Sequence, residues 1–149
     1  MRAVIQRVSR ADVKIDGVTT GSIQKGLLVL LAVAKEDTEA DLRWLLDKIC
    51  SLRIFPNDDG KFDRSLEDVG GEILLISQFT LYGDCRKGRR PGFDRSAPPE
   101  IAQPLYEQAV AYLNQIGIKT ASGVFGAMMQ VSLVNDGPVT LIVDSPSKK

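Results

Sequence analysis

The 149-residue chain contains no histidine. Histidine titrates near neutrality and is the commonest metal ligand, so its absence removes Ser-His-Asp catalysis and every histidine-based metal centre. Cys50 and Cys85 are the only two cysteines, too few and too far apart for a disulfide framework. A metal-dependent hydrolase would be left with carboxylates alone as ligands, and neither a metal nor any other cofactor is expected. Long apolar runs are missing as well. The longest, Gly26 to Ala34, is strand-sized and far short of a bilayer span. Met1 to Arg7 alternates apolar and charged residues and lacks the apolar core of a secretory signal. A cytoplasmic location with no membrane partner is therefore expected. Charge of one sign is lacking too: 19 Lys and Arg balance 19 Asp and Glu, which leaves no long-range pull on nucleic acid. A single Trp and 6% aromatic residues argue against a broad nucleic-acid coat.

The hydrophobic and charged fractions, 44% and 26%, are those of an ordinary globular protein. Nothing divides the chain, so residues 1–149 read as one domain, with 145–149 expected to form a flexible tail. Residues 2–9 and 12–16 read as strands, and Asp16-Gly17 is a hairpin signal. The apolar run from Leu27 to Ala34 suits a strand buried on both faces. Thr38 is placed as an N-cap, and Leu42, Leu45, Leu46 and Ile49 then recur at helical spacing until the chain stops before Pro56. Glu72 to Leu81 is β-rich. Gly83 to Pro99 is polar, basic and broken by glycine and proline, which indicates a long surface loop. Ile101, Leu105, Ala109, Tyr112, Leu113 and Ile116 mark a second amphipathic helix, with Pro104 tolerable in or near its first turn. Phe125 to Val134 and Val139 to Val143 read as two strands pinched at Gly137-Pro138. This order predicts an α+β fold with a mixed, mostly antiparallel and barrel-like sheet and two main helices.

Two segments carry the chemistry. Ser77-Gln78-Phe79-Thr80 sits where a buried strand reaches the surface. It reads either as a strand end whose hydroxyls satisfy neighbouring backbone, or as a cradle whose backbone N–H groups face a developing oxyanion. Ser77 or Thr80 as a nucleophile would need an adjacent base, and no lysine lies nearby in sequence. The second segment is Asn135-Asp136-Gly137-Pro138. Glycine permits close approach of a backbone or ligand, and the bond before Pro138 has only a modest trans preference. Taken alone, the segment reads first as an ordinary hairpin turn with Asn135 and Asp136 as turn formers. Arg86, Lys87, Arg89 and Arg90 directly follow the first segment, as a solvated loop or a set of phosphate contacts.

Together and in this order the segments resemble the D-aminoacyl-tRNA deacylases, from Met1 to about Val143. The likeness includes Ile5-Gln6-Arg7-Val8, Gly26 to Leu31, Arg53-Ile54-Phe55, Ser77 to Leu81, Arg90-Pro91 with Phe93, and Leu105-Tyr106. It continues through Phe125 to Val131 and Leu133 to Thr140. Tyr82 to Cys85 is a variable stretch in such proteins and is assigned no role.

The resemblance implies an esterase that removes D-amino acids from tRNA, with the acceptor end of D-aminoacyl-tRNA as partner and glycyl-tRNA as a plausible second substrate. It implies a homodimer with shared active sites, in which a Gly137–cisPro138 element enters the partner's pocket and excludes L residues by collision. By the same likeness Ser77, Gln78, Phe79 and Thr80 line the acyl and ribose site, Phe125 and Met129 flank the terminal adenosine, and Arg7 supports the Gly–Pro turn. Hydrolysis would be assisted by the adenosine 2′-hydroxyl, with Thr80 attack as the alternative. Two rivals use the same fold: a non-catalytic nucleic-acid-binding module built on the four basic residues, and an editing domain like those attached to some archaeal threonyl-tRNA synthetases. No synthetase segment is read in these residues.

Overall fold

In the computed structural model, which describes residues 1–146, one long strand organises the molecule. Strand β1 (Arg2–Ile15) is continuous where the sequence suggested two pieces. It turns through Asp16 (φ 49°) and Gly17 (φ 77°) into β2 (Val18–Ile23), with Ile15 opposite Val18. Two successive residues at positive φ are what a two-residue type I′ hairpin requires. The first half of β1 pairs antiparallel with β3 (Gly26–Ala32), and its other edge carries β8 (Gln130–Asp144) along almost its whole length.

Between these lie two crossovers. Helix α1 (Glu39–Ser51) follows β3, then comes a small hairpin of β4 (Phe55–Pro56) and β5 (Phe62–Arg64), and β6 (Glu72–Ser77) returns parallel to β3. Helix α2 (Pro99–Gln115) then leads to β7 (Thr120–Ser122), parallel to β6. The sheet order is β2-β1-β3-β6-β7, with β8 on β1. The free edges nearly meet: a Cβ placed on Gly21 of β2 would lie 3.0 Å from the Ser122 carbonyl of β7. The result is the expected α+β architecture, a mixed sheet nearly closed into a barrel with two helices outside it.

Alternation along β3 and β6 divides the core. Leu27, Val29, Leu31, Ile73 and Leu75 face the helices, while Leu28, Leu74 and Ile76 fill the barrel with Val8, Val13 and Ile23. This is why β3 reads as continuous apolar sequence: both of its faces are buried. At the start of α1, Thr38 is the N-cap, and its N–H donates to Asp41 Oδ2 at 2.7 Å. Its buried stripe is Leu42, Leu45, Leu46, Ile49 and Cys50, and burial pushes the Cys50 thiol up to about 12.

Three expectations from the sequence are corrected. The β-rich run from Glu72 ends as a strand at Ser77 and continues as a 3-10 turn over Phe79–Tyr82. In α2 the buried stripe is Ala102, Leu105, Tyr106, Ala109 and Leu113, whereas Ile101 and Ile116 are exposed. Pro104 stands at the sixth helical position, on the exposed face, where the lost backbone bond would be to Glu100, itself at the surface. Third, the last two expected strands are one: β8 is continuous, and Phe125 to Met129 belongs to the loop before it. At the chain end, Ser145 N–H donates to the Met1 carbonyl at 2.9 Å. The rest of the expected tail, 147–149, lies outside the described residues. No helix among the described residues is long and apolar enough to cross a membrane.

Candidate active site

Where β6 ends, the chain opens a cavity of about 640 Å³. Ser77, Gln78 and Phe79 form one wall, and Phe125 and Met129 form another. Gln78 leaves the strand with φ −144° and ψ 73°, its N–H donating to the Leu31 carbonyl at 2.8 Å. A 3-10 turn leaves its leading N–H groups without partners inside the turn; here these belong to Phe79 and Thr80. Gln78 Nε2 donates to Thr80 Oγ1 at 2.5 Å. Thr80 itself is exposed beside the cavity and does not line it. Its hydroxyl meets an amide N–H, which cannot serve as a base. Nor can the walls: among the described residues, none of the side chains lining the cavity is ionisable.

Sequence reasoning missed the third wall. Phe93, Ser96 and Ala97 from the basic loop and Pro99 and Ala102 from α2 complete the cavity. Phe93 packs edge-on against Phe79, ring centroids 5.1 Å apart, and Ser96 Oγ donates to the Phe79 carbonyl at 3.1 Å. An aromatic residue inside an otherwise polar basic loop was the available signal.

The basic residues lie beyond this wall. Asp84 and Gly92 exchange two backbone hydrogen bonds of 2.7 and 2.9 Å, which closes residues 85–91 into an exposed tip. Arg86 bonds Asp84 through its side chain and its own N–H, holding that carboxylate at about 2. Lys87, Arg89 and Arg90 are exposed. None of the four reaches the cavity wall.

Gly137-Pro138 is not a hairpin turn, because both of its flanks pair with the same strand. Gln6 pairs with Thr140 and Val8 with Asn135, so two steps along β1 match five along β8. The surplus bulges outward as Asp136-Gly137-Pro138, all exposed, with a cis bond between Gly137 and Pro138. Asn135 clasps the bulge: its Oδ1 accepts from Val139 N–H and its Nδ2 donates to Thr140 Oγ1, each at 2.9 Å. Arg7 braces it from below. That side chain is 8% exposed, donates from Nε to the Asp136 carbonyl at 2.8 Å and from Nη1 to the Ile54 carbonyl at 2.7 Å, and lies 5.7 Å from the Phe62 ring centroid. Gly137 has φ 137°, and a Cβ there would stand 2.9 Å from Arg7 Nη2.

The bulge is remote from the cavity of its own chain. Ser77 pairs with Leu31 and Leu31 with Ala3, whereas the bulge is braced at Arg7, four residues and roughly 13 Å further along β1. Arg7, Gly137 and Pro138 do not line the cavity.

Comparison with known proteins gives consistent results. A family model described as D-Tyr-tRNA(Tyr) deacylase matches residues 4–144. The D-aminoacyl-tRNA deacylase of Desulfatibacillum aliphaticivorans is 62% identical over 145 residues, covering 97% of this chain and 99% of that one. The Thermus aquaticus protein of the same name is 57% identical over 99% of this chain and 97% of its own. Among solved structures, one described as "c-Myc DNA Unwinding Element Binding Protein" superposes with a TM-score of 0.93 at 40% identity, covering 99% of this chain and all of that one. A probable eukaryotic D-amino acid tRNA deacylase, at 18% identity and a TM-score of 0.83 over 96% of this chain and 98% of its own, shares the fold. The chain belongs to the D-Tyr-tRNA(Tyr) deacylase family.

Proposed function

We propose that the protein hydrolyses the ester bond of D-aminoacyl-tRNA in the cytoplasm, releasing the D-amino acid and free tRNA, and that it works as a homodimer with shared sites. The observation that carries this reading is the separation just described: a braced, exposed Gly137-Pro138 bulge on one side and a reactive cavity on another. A bulge that cannot reach its own cavity can reach that of a two-fold partner, reciprocally, as isologous symmetry allows. Inserted there, its carbonyls would receive the substrate α-amino group, and its bulk would collide with the side chain of an L residue. Glycine has no side chain to collide, so glycyl-tRNA would also be accepted.

The cavity supports hydrolysis without a protein base. The Phe79 N–H stabilises the developing oxyanion, with the Thr80 N–H at the cavity rim beside it, Gln78 positions the ester while bonded to the Thr80 hydroxyl, and Phe125 and Met129 sandwich the terminal adenosine. The 2′-hydroxyl of that adenosine supplies the proton chemistry, leaving the protein to orient and stabilise. The basic tip bearing Arg86, Lys87, Arg89 and Arg90 meets acceptor-stem phosphates. Deacylation of paired D- and L-tyrosyl-tRNA, with a chelator control, tests this directly. Comparable cleavage of both enantiomers refutes it.

A second reading draws on the solved relative named for binding a DNA unwinding element and on the exposed basic tip: a nucleic-acid-binding module without catalysis. It predicts salt-sensitive binding with no ester cleavage of either enantiomer.

A further inference from the structure

We propose that Tyr106 is a positioning residue for the adenosine end of the substrate: its hydroxyl fixes the corner from which the Phe125–Met129 wall of the cavity hangs. The inference rests on the reading that this wall receives the terminal adenosine. Tyr106 is buried on the inner face of α2, 4% exposed, and its hydroxyl crosses to the sheet. There it donates to the Leu75 carbonyl of β6 at 2.8 Å and lies 3.5 Å from the Gly123 carbonyl. Leu75 O also accepts the Gly123 N–H at 3.3 Å. One phenol thus ties the residue of β6 that pairs last with β7 to the first residue beyond β7.

Gly123 is where the chain leaves the sheet, and it rejoins only at Gln130 in β8. The six residues between carry both adenosine contacts, with one internal backbone bond, Ala127 N–H to the Val124 carbonyl at 3.2 Å. Both contacts register on the Tyr106 corner. The Phe125 ring lies 6.0 Å from the Tyr106 ring, and Met129 packs so closely on Gly123 that a Cβ there would overlap its sulfur. Burial pushes the Tyr106 hydroxyl up to about 12, so it remains a hydrogen-bond donor throughout the working pH range.

The test compares Tyr106→Phe, which keeps ring and volume, with Met129→Ala and with Leu113→Ala, a core truncation on the same helix away from the cavity. Steady-state hydrolysis is measured on D-tyrosyl-tRNA and on 3′-D-tyrosyl-adenosine, alongside thermal melts and hydrogen exchange. Tyr106→Phe should raise KM about threefold to tenfold on both substrates, the worth of one hydrogen bond, with kcat within about twofold. Exchange in 123–129 should quicken while α1 is unchanged. Leu113→Ala should lower the melting temperature and leave KM alone. If Met129→Ala raises KM and Tyr106→Phe does not, the Tyr106 role is refuted and the adenosine reading survives. If Met129→Ala leaves KM unchanged, the adenosine reading falls and this inference falls with it. Should Tyr106→Phe not fold, Gly123→Ala, which displaces Met129 from the same corner, must raise KM in its place; an unchanged KM overturns the proposal.

Discussion

Arg7→Met is the most discriminating single perturbation of this molecule. The guanidinium is 8% exposed and held by two carbonyls, Ile54 O at 2.7 Å and Asp136 O at 2.8 Å. Methionine fills much of the same space and donates to neither. The Ile54 bond is buried, so its carbonyl is left unsatisfied at about 1–3 kcal/mol; Asp136 lies at the surface, where water replaces the bond for about 1 kcal/mol or less. Release of a buried charge returns part of this, so the net destabilisation is about 1–3 kcal/mol. At roughly 2–4 °C per kcal/mol for a chain of this size, the melting temperature should fall by about 2–12 °C. Arg7→Lys should fall between, because an ammonium on a single stem cannot span both carbonyls. Function should suffer beyond stability. At a temperature where all variants are folded, Arg7→Met should lose D over L discrimination, since the Gly137-Pro138 bulge loses its brace. A melting temperature within about 1 °C of the parent with unchanged discrimination would show that Arg7 neither braces the bulge nor serves selection.

Thr80→Ala should keep kcat within about tenfold of the parent, whereas a substrate ending in 2′-deoxyadenosine should be nearly inert; the opposite pattern makes Thr80 the nucleophile. Arg89→Ala with Arg90→Ala should raise KM and flatten its log–log salt slope by roughly 0.7–0.9 for each phosphate no longer neutralised, with D over L preference intact; unchanged tRNA binding at low salt makes the tip merely solvated. Because no ionisable side chain among the described residues lines the cavity, log kcat against pH should carry no pair of enzyme inflections, and a bell between about pH 6 and 9 would require a base from elsewhere. An inactive Gly137→Ala protein mixed with an inactive Gln78→Ala protein should recover part of the activity in hybrid dimers. No recovery after demonstrated subunit exchange would show that each chain builds its own site.

What was legible in the sequence was local. Asp16-Gly17 encodes its turn, Thr38 its cap, and the Leu27–Leu31 run its two-faced burial, because each depends on neighbours within a few residues. The misreadings are all long-range. Phe79-Thr80-Leu81 carries strand-forming residues, yet past Ser77 the neighbouring β3 ends at Ala32 and offers little more ladder to pair with. The α2 stripe turns toward Ala102 and Tyr106 because the Tyr106 hydroxyl finds its acceptor on β6, a partner 31 residues away. Gly137-Pro138 looks like a hairpin turn in any sequence window. Only the register against β1 exposes the surplus residues as a bulge. The cavity behaves likewise: Ala97, Pro99 and Ala102 have no chemistry to advertise, and become a wall only through the crossover that lays α2 beside β6.

That division of labour also explains how a site without histidine can be selective. The cavity contributes backbone donors and apolar walls, neither of which distinguishes one enantiomer from the other. In the proposed reading, discrimination is delegated to a second rigid object, the bulge, whose shape is set by Asn135, by Arg7 and by the pairing of both its flanks with β1. An object made of backbone rejects by position and not by side-chain chemistry. Every L side chain then meets the same obstacle at its Cβ, and every D side chain points away from it, whatever its size or polarity. On the proposed reading, broad acceptance of D residues and strict refusal of L residues are one property of the bulge, and loosening its brace should weaken the second without narrowing the first.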